Sequence, residues 1–234
     1  MDKKLNVSTV VGALLIGAGI FFLGLFIKGG IDNMAFRDRE VTVRGLAERE
    51  VPANRVTWPI TYSVAGDDLV SVYNQVTANN NAVVKFLTDN GIDKSEITVA
   101  PPDTYNATTN QYVSSNINFK YSLNNTITVT SSKVDKVRSL IDKSSELLKA
   151  GIPVSNGYID YEYTALNDIK PAMIAEATKN AREAADRFAQ DSGSKVGKMK
   201  TANQGQFSIE SQSSSVPFIK KVRVVSTIVY YLED

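Results

Sequence analysis

Two groups of carboxylates are the side chains best suited to chemistry: Glu48, Glu50 and Asp67 near the first strands, and Asp186 and Asp191 at the end of a long helix. A pair of acids in unlike environments can divide the general-acid and general-base roles between them. Little else in the chain could do so, because it contains no histidine and no cysteine. The usual base at neutral pH, the commonest metal ligand, the thiol nucleophile and the disulfide are all missing. Nucleotide-binding glycine patterns are absent, and neither Asp67-Asp68 nor the stretch 186–191 has the alternating oxygen ligands of a calcium loop. No catalytic, cofactor-binding or metal-ligating residue is therefore assigned, no cofactor is expected, and no enzymatic activity is assigned. A formal net charge of +1 gives no field that would recruit nucleic acid.

Weaker candidates each carry a plainer alternative. Lys220, Lys221 and Arg223, with Lys195, Lys198 and Lys200, are a candidate anionic-lipid contact, but basic residues beside a strand more often keep an edge soluble. The polar connection DTYNATTNQYVSSN brings Tyr105 and Tyr112 to a candidate contact surface. Asn79, Asn80 and Asn81 read as solvent-facing helix positions rather than a binding cluster. Asn106-Ala107-Thr108 and Asn124-Asn125-Thr126 fit the glycosylation acceptor pattern, which matters only in a host with that machinery.

Alternating strands and helices must position these residues. Period-two patterns predict strands at Glu40–Leu46, Arg55–Ala65, Glu96–Tyr105, Asn116–Thr130, Tyr158–Tyr163, Val196–Ile209 and Lys220–Leu232. Pro59, which has no ladder donor, suggests that its strand is an edge or carries a bulge. Three main helices are expected: one from Leu69 to the stop at Asn90-Gly91, one over Lys133–Ala150, and one from about Asp168 to Gly193 with an alanine-rich packing face. That face predicts an unusually close approach to its neighbour. The last strand is apolar on nearly both faces, which predicts a central or interface position.

Ahead of these lies an uncharged run, Val7–Ile27, that would rise roughly 31 Å as a helix. It is longer than a typical secretory apolar region and lacks a good cleavage site, so it reads as a transmembrane signal anchor. The expected organisation is a cytoplasmic tail at 1–6, the anchor at 7–27, a linker at 28–39 and an extracytoplasmic domain at 40–234.

The segment VTVRGLAEREVPANRVTWPITYSVAGDD resembles the opening of the SIMPL-domain family, through Val43, Gly45, Ala47, Pro52, Ala53 and Val56, with Asn54 where the family usually has aspartate. The alanine-spaced helix, with Gly193 and Gly197 around the turn after it, and the valine-rich last strand fit the same family. The resemblance covers about Glu40 to the C-terminus. It implies a mixed α/β (α+β) domain with mixed or antiparallel sheets in the bacterial periplasm or envelope, with some members forming closed assemblies and an association with envelope or oxidative stress. It supplies no catalytic set. The combined expectation is a single-pass inner-membrane protein with its C-terminal domain in the periplasm, attached through residues 7–27 and acting by self-assembly or binding. A homo-oligomer is expected, with an envelope protein as a further partner and no nucleic acid. The alternatives are a carboxylate-dependent hydrolase and an accessory subunit of another membrane protein.

Overall fold

The computed structural model describes residues 7–36, 39–107 and 119–233. Tyr112 and most of the loop around it therefore lie outside the described residues. In chain order the elements are α1 (Val7–Phe36), β1 (Glu40–Pro52), β2 (Arg55–Gly66), α2 (Leu69–Asp89), a short 3-10 turn (Lys94–Glu96), β3 (Ile97–Val99), β4 (Asp103–Asn106), β5 (Tyr121–Ser131), α3 (Val134–Lys143), α4 (Ser145–Lys149), β6 (Ser155–Asn156), β7 (Asp160–Glu162), α5 (Leu166–Asp191), β8 (Lys195–Gln204), β9 (Ser208–Ser213) and β10 (Val216–Glu233). They form two compact units. One takes the chain up to Glu48 with Lys170–Phe207 and everything from Arg223; the other takes Arg49–Ile169 and Ser208–Val222.

The second unit is built on one antiparallel pair, β2 with β5, in unbroken register from Val56↔Ser131 to Gly66↔Tyr121. β3 and β4 extend β5, while β6 and β7 extend β2. Alternation sends Val56, Trp58, Ile60, Tyr62 and Val64 inward with Leu123, Ile127 and Val129, and α2 covers them with Val72, Val76, Val83 and Leu87. Asp68 caps α2 by accepting from the Ser71 amide at 2.8 Å. The helical runs before Gly91, Gly151 and Gly193 stop at those glycines, all with positive φ.

Pro59 does not mark an edge strand, since β2 has neighbours on both sides. Instead β7 pairs with β2 at residues 55–57 and β6 at 60–61, so the flank is split around the residue that cannot donate. The predicted helix over 133–150 breaks at Ser144 into α3 and α4, so among the described residues four helices follow α1 where three were expected. Two predicted strands also divide, one where Pro101-Pro102 separates β3 from β4 and one around Gly205 between β8 and β9.

In the first unit the order is β1-β10-β8, with Ser226↔Gln204 through Glu233↔Lys195 pairing β10 to β8. Val43, Ile228 and Tyr230 pack on Ala181 and Ala185. Ala177, Ala181, Ala185 and Ala189 form a buried stripe down α5, and Gly45 of β1 lies directly against it. The close approach expected from the alanine face is present, because neither surface carries a side chain larger than a methyl group at the contact.

The expectations for the N-terminal run are corrected. α1 is a helix of 30 residues, and a crossing needs roughly 20 consecutive predominantly apolar residues. Among the described residues no helix is long and apolar enough to cross a membrane. This overturns the transmembrane signal anchor in the expected fold class, membrane attachment through 7–27, and the inner-membrane placement with a periplasmic domain. The membrane-anchored envelope role and the envelope protein partner that rested on that anchor fall with them. The finding concerns helices alone.

The homo-oligomer is corrected in its main premise. It was argued from a last strand needing cover on both faces, with the tyrosine-bearing connection 103–116 as a projecting surface, most of which lies outside the described residues. In β10, Val222, Val224, Ser226, Ile228 and Tyr230 are buried, whereas Arg223 is exposed and Val225, Thr227, Val229 and Tyr231 are half-buried. The strand alternates, and strands of this same chain flank it on both sides.

Candidate functional site

The predicted acids do not gather. Glu48 pairs with Arg223 at 3.4 Å, Glu50 accepts from the Gln212 amide at 2.9 Å, and Asp67 accepts from the Lys120 backbone N–H at 3.1 Å. Asp186 pairs with Arg182 one helical turn away at 3.3 Å, and Asp191 is exposed at the end of α5. Each has the small local role usual for a surface carboxylate. Among the described residues no group of three or more acids is arranged to hold a metal ion.

The basic residues scatter too. Lys220 is buried and donates to Ser211 Oγ at 3.0 Å. Arg223 is held by Glu48, and Lys200 pairs with Glu40. Alternation along the strand explains Lys220: it shares the parity of Val222 and Val224, so its stem lies among buried side chains.

Two polar arrangements in the second unit stand out instead. On the helix-covered face, Tyr62 Oη lies 2.9 Å from the Val76 carbonyl and 2.7 Å from Asn80 Oδ1, and Asn125 Nδ2 donates to the same Asn80 oxygen at 2.6 Å. Burial raises the Tyr62 pKa to about 12, with the Asn125 amide opposing in part. Asn80 is thus a connector between α2 and the sheet, and the solvent-facing reading of the asparagine run fails at this position. The Asn125 Oδ1 atom has no partner among the described residues.

The opposite face carries a ladder of uncharged polar groups. Register places Thr57 opposite Thr130, Thr61 opposite Thr126, Ser63 opposite Asn124, and Thr98 of β3 opposite Thr128. Directly opposed residues share a face, with Cβ atoms about 5 Å apart across strands, and alternate residues recur about 7 Å along each strand. From Thr57 to Ala65 on β2, and from Ser122 to Thr130 on β5, this face holds no charged residue. Asp103 and Asp160 stand on the flanking strands β4 and β7. A cavity of about 380 Å³ opens along Thr61, Ser63, Asn124 and Thr126, with Pro153 and Ser155 at its rim. Tyr105, opposite Ser122, adds an exposed ring to the same face.

Sequence reading missed this ladder, although RVTWPITYSVA and NNTITVT alternate their hydroxyls plainly. Outward threonines are ordinary on half-solvated strands. What a single sequence lacks is the register that brings the two sets side by side.

No curated protein matches the chain. The family model SIMPL, a protein of unknown function (DUF541), matches residues 41–229. With most of the chain covered by that match, the protein belongs to the SIMPL family.

Proposed function

We propose that the protein is a non-covalent binding protein whose second unit takes an uncharged, polyhydroxylated ligand, such as a linear oligosaccharide, along the hydroxyl ladder of β2 and β5. The observation that carries this reading is the cross-strand register of Thr57, Thr61 and Ser63 with Thr130, Thr126 and Asn124. A hydroxyl can both donate and accept and an amide offers both functions, and Thr61, whose hydroxyl donates to the Ser155 carbonyl at 3.0 Å, still offers an acceptor, so the face matches a ligand whose own groups are hydroxyls. The lack of charge on the central strands disfavours tight capture of ions and suits a neutral chain. The cavity beside Thr61 and Thr126 gives one ring a recess, and the exposed Tyr105 ring offers an apolar face with a polar tip for stacking.

Titration of the full chain with neutral tetrasaccharides of glucose and of N-acetylglucosamine, followed by amide chemical shifts, tests the reading. Saturable shifts confined to residues 57–65 and 122–130 and to their neighbours Tyr105 and Ser155 are expected. Thr126→Val and Thr128→Val together should weaken binding about tenfold, the loss of roughly two neutral hydrogen bonds. Absence of saturable shifts with both sugars, or unchanged affinity in the double variant, rejects it.

A further inference from the structure

A second recess in the same unit has different chemistry. It measures about 290 Å³ and is lined by Asp160, Tyr161 and Glu162 of β7, Tyr163, Ile209 of β9 and Lys220 of β10. Lys220 is only 9% exposed, and its sole acceptor among the described residues is the neutral Ser211 hydroxyl. An ammonium has three N–H donors, and burying it without an anion is costly. Glu162 is engaged by Arg55 at 3.6 Å, whereas Asp160 pairs with no cation among the described residues. One recess therefore holds a cation and an anion that do not neutralise each other.

We infer that this recess binds a small zwitterion, an amino acid whose carboxylate meets Lys220 Nζ and whose ammonium meets Asp160. A simple anion would gain charge-assisted bonds from Lys220 but would face Asp160 and Glu162; a simple cation would face Lys220. A molecule carrying both charges satisfies both ends. The Tyr161 and Tyr163 rings and Ile209 offer apolar surface to the methylenes between them. The volume lies at the lower limit of ligand pockets, which restricts the ligand to a small one.

The test uses the full chain and calorimetric titration with glycine, 3-aminopropanoate, 4-aminobutanoate and 6-aminohexanoate, with butanoate and butylammonium as single-charge controls. Two fixed charges select one spacing, so one member of the series should bind at least about tenfold tighter than either control. Lys220→Met and Asp160→Asn should each reduce that affinity about tenfold or more. Asp160 is half-exposed, so its variant keeps the test available if Lys220→Met does not fold. The inference is overturned if no amino acid in the series binds, if a control binds as tightly, or if Asp160→Asn leaves the affinity unchanged. Asp160 stands opposite Thr57, so the oligosaccharide reading is judged at Thr126 and Thr128 on the far strand and the zwitterion reading at Lys220 and Asp160, and either can fail alone.

Discussion

The backbone carbonyl of Ala177 occupies the space that a Cβ on Gly45 would need, and the Ala181 amide and methyl group close the same space from one turn further along α5. Backbone atoms of a helix cannot rotate aside as a flexible side chain can. Gly45→Ala should therefore separate β1 from α5 and destabilise the first unit by about 3 kcal/mol, near the upper end of overpacking costs. Urea unfolding followed by far-UV circular dichroism measures it, and a loss under about 1 kcal/mol would show that the seam yields more easily than this packing implies.

Asn54 occupies the position where the family resemblance leads one to expect aspartate. Its Oδ1 accepts from the Thr164 backbone N–H at 2.8 Å and from Thr164 Oγ1 at 3.1 Å, tying the β1–β2 turn to the segment after β7. Only the acceptor oxygen is used. Asn54→Asp should leave stability within about 0.5 kcal/mol, while Asn54→Ala should cost about 1 kcal/mol through the unmatched amide. Equal losses in both variants would contradict an acceptor role.

Tyr62 makes alkaline stability informative. Its pKa is raised from 10.0 to about 12 chiefly by burial. In the unfolded chain the phenol loses its proton near pH 10, while the folded protein keeps it, so the unfolded state binds fewer protons above that point and stability falls from about pH 10 to pH 12. Below pH 10 this group contributes no slope. Tyr62→Phe should remove that part of the alkaline decline, at a cost of about 1 kcal/mol at neutral pH for the lost hydroxyl bond. Denaturation midpoints across this range, compared between the two proteins, decide the matter; parallel alkaline declines would rule out the buried phenol as their source.

Glu96 acts at the other end of the scale. Burial pushes its pKa up, but the Asp93 backbone N–H, the Ser131 hydroxyl and Lys133 together hold it below the ordinary 4.5. The resulting stabilisation is complete above the unfolded value and disappears as pH falls through the folded one. Glu96→Gln should flatten the acid limb of the stability profile and cost about 1 kcal/mol at pH 7, because an amide keeps only one of the two acceptor oxygens now used by the Asp93 N–H and the Ser131 hydroxyl. An unchanged acid limb would place the proton-linked loss elsewhere.

Several elements were legible because one residue type decides them locally. The glycines at 91 and 193 stop helical runs, and the alanines at fourfold spacing declare a close contact. Where the deciding partner is distant in sequence, local reading failed. Pro59 suggested an edge because the two short strands that accommodate it, β6 and β7, lie about a hundred residues away. Asn80 looked solvent-facing because Tyr62 and Asn125 reach it from other elements. The oddity of Lys220 was hidden for a different reason: a run of basic residues on a strand alternates between environments, and grouping them by charge overlooks that alternation.

The chain contains a single tryptophan, and Trp58 lies fully buried in the core of the second unit, with its indole N–H donating to Asn156 Oδ1 at 3.0 Å. Intrinsic fluorescence excited at the red edge of absorption consequently reports the melting of that unit alone. Circular dichroism at 222 nm samples both units. Any gap between the two transitions is then a direct optical measure of whether the units lose their structure together or in turn.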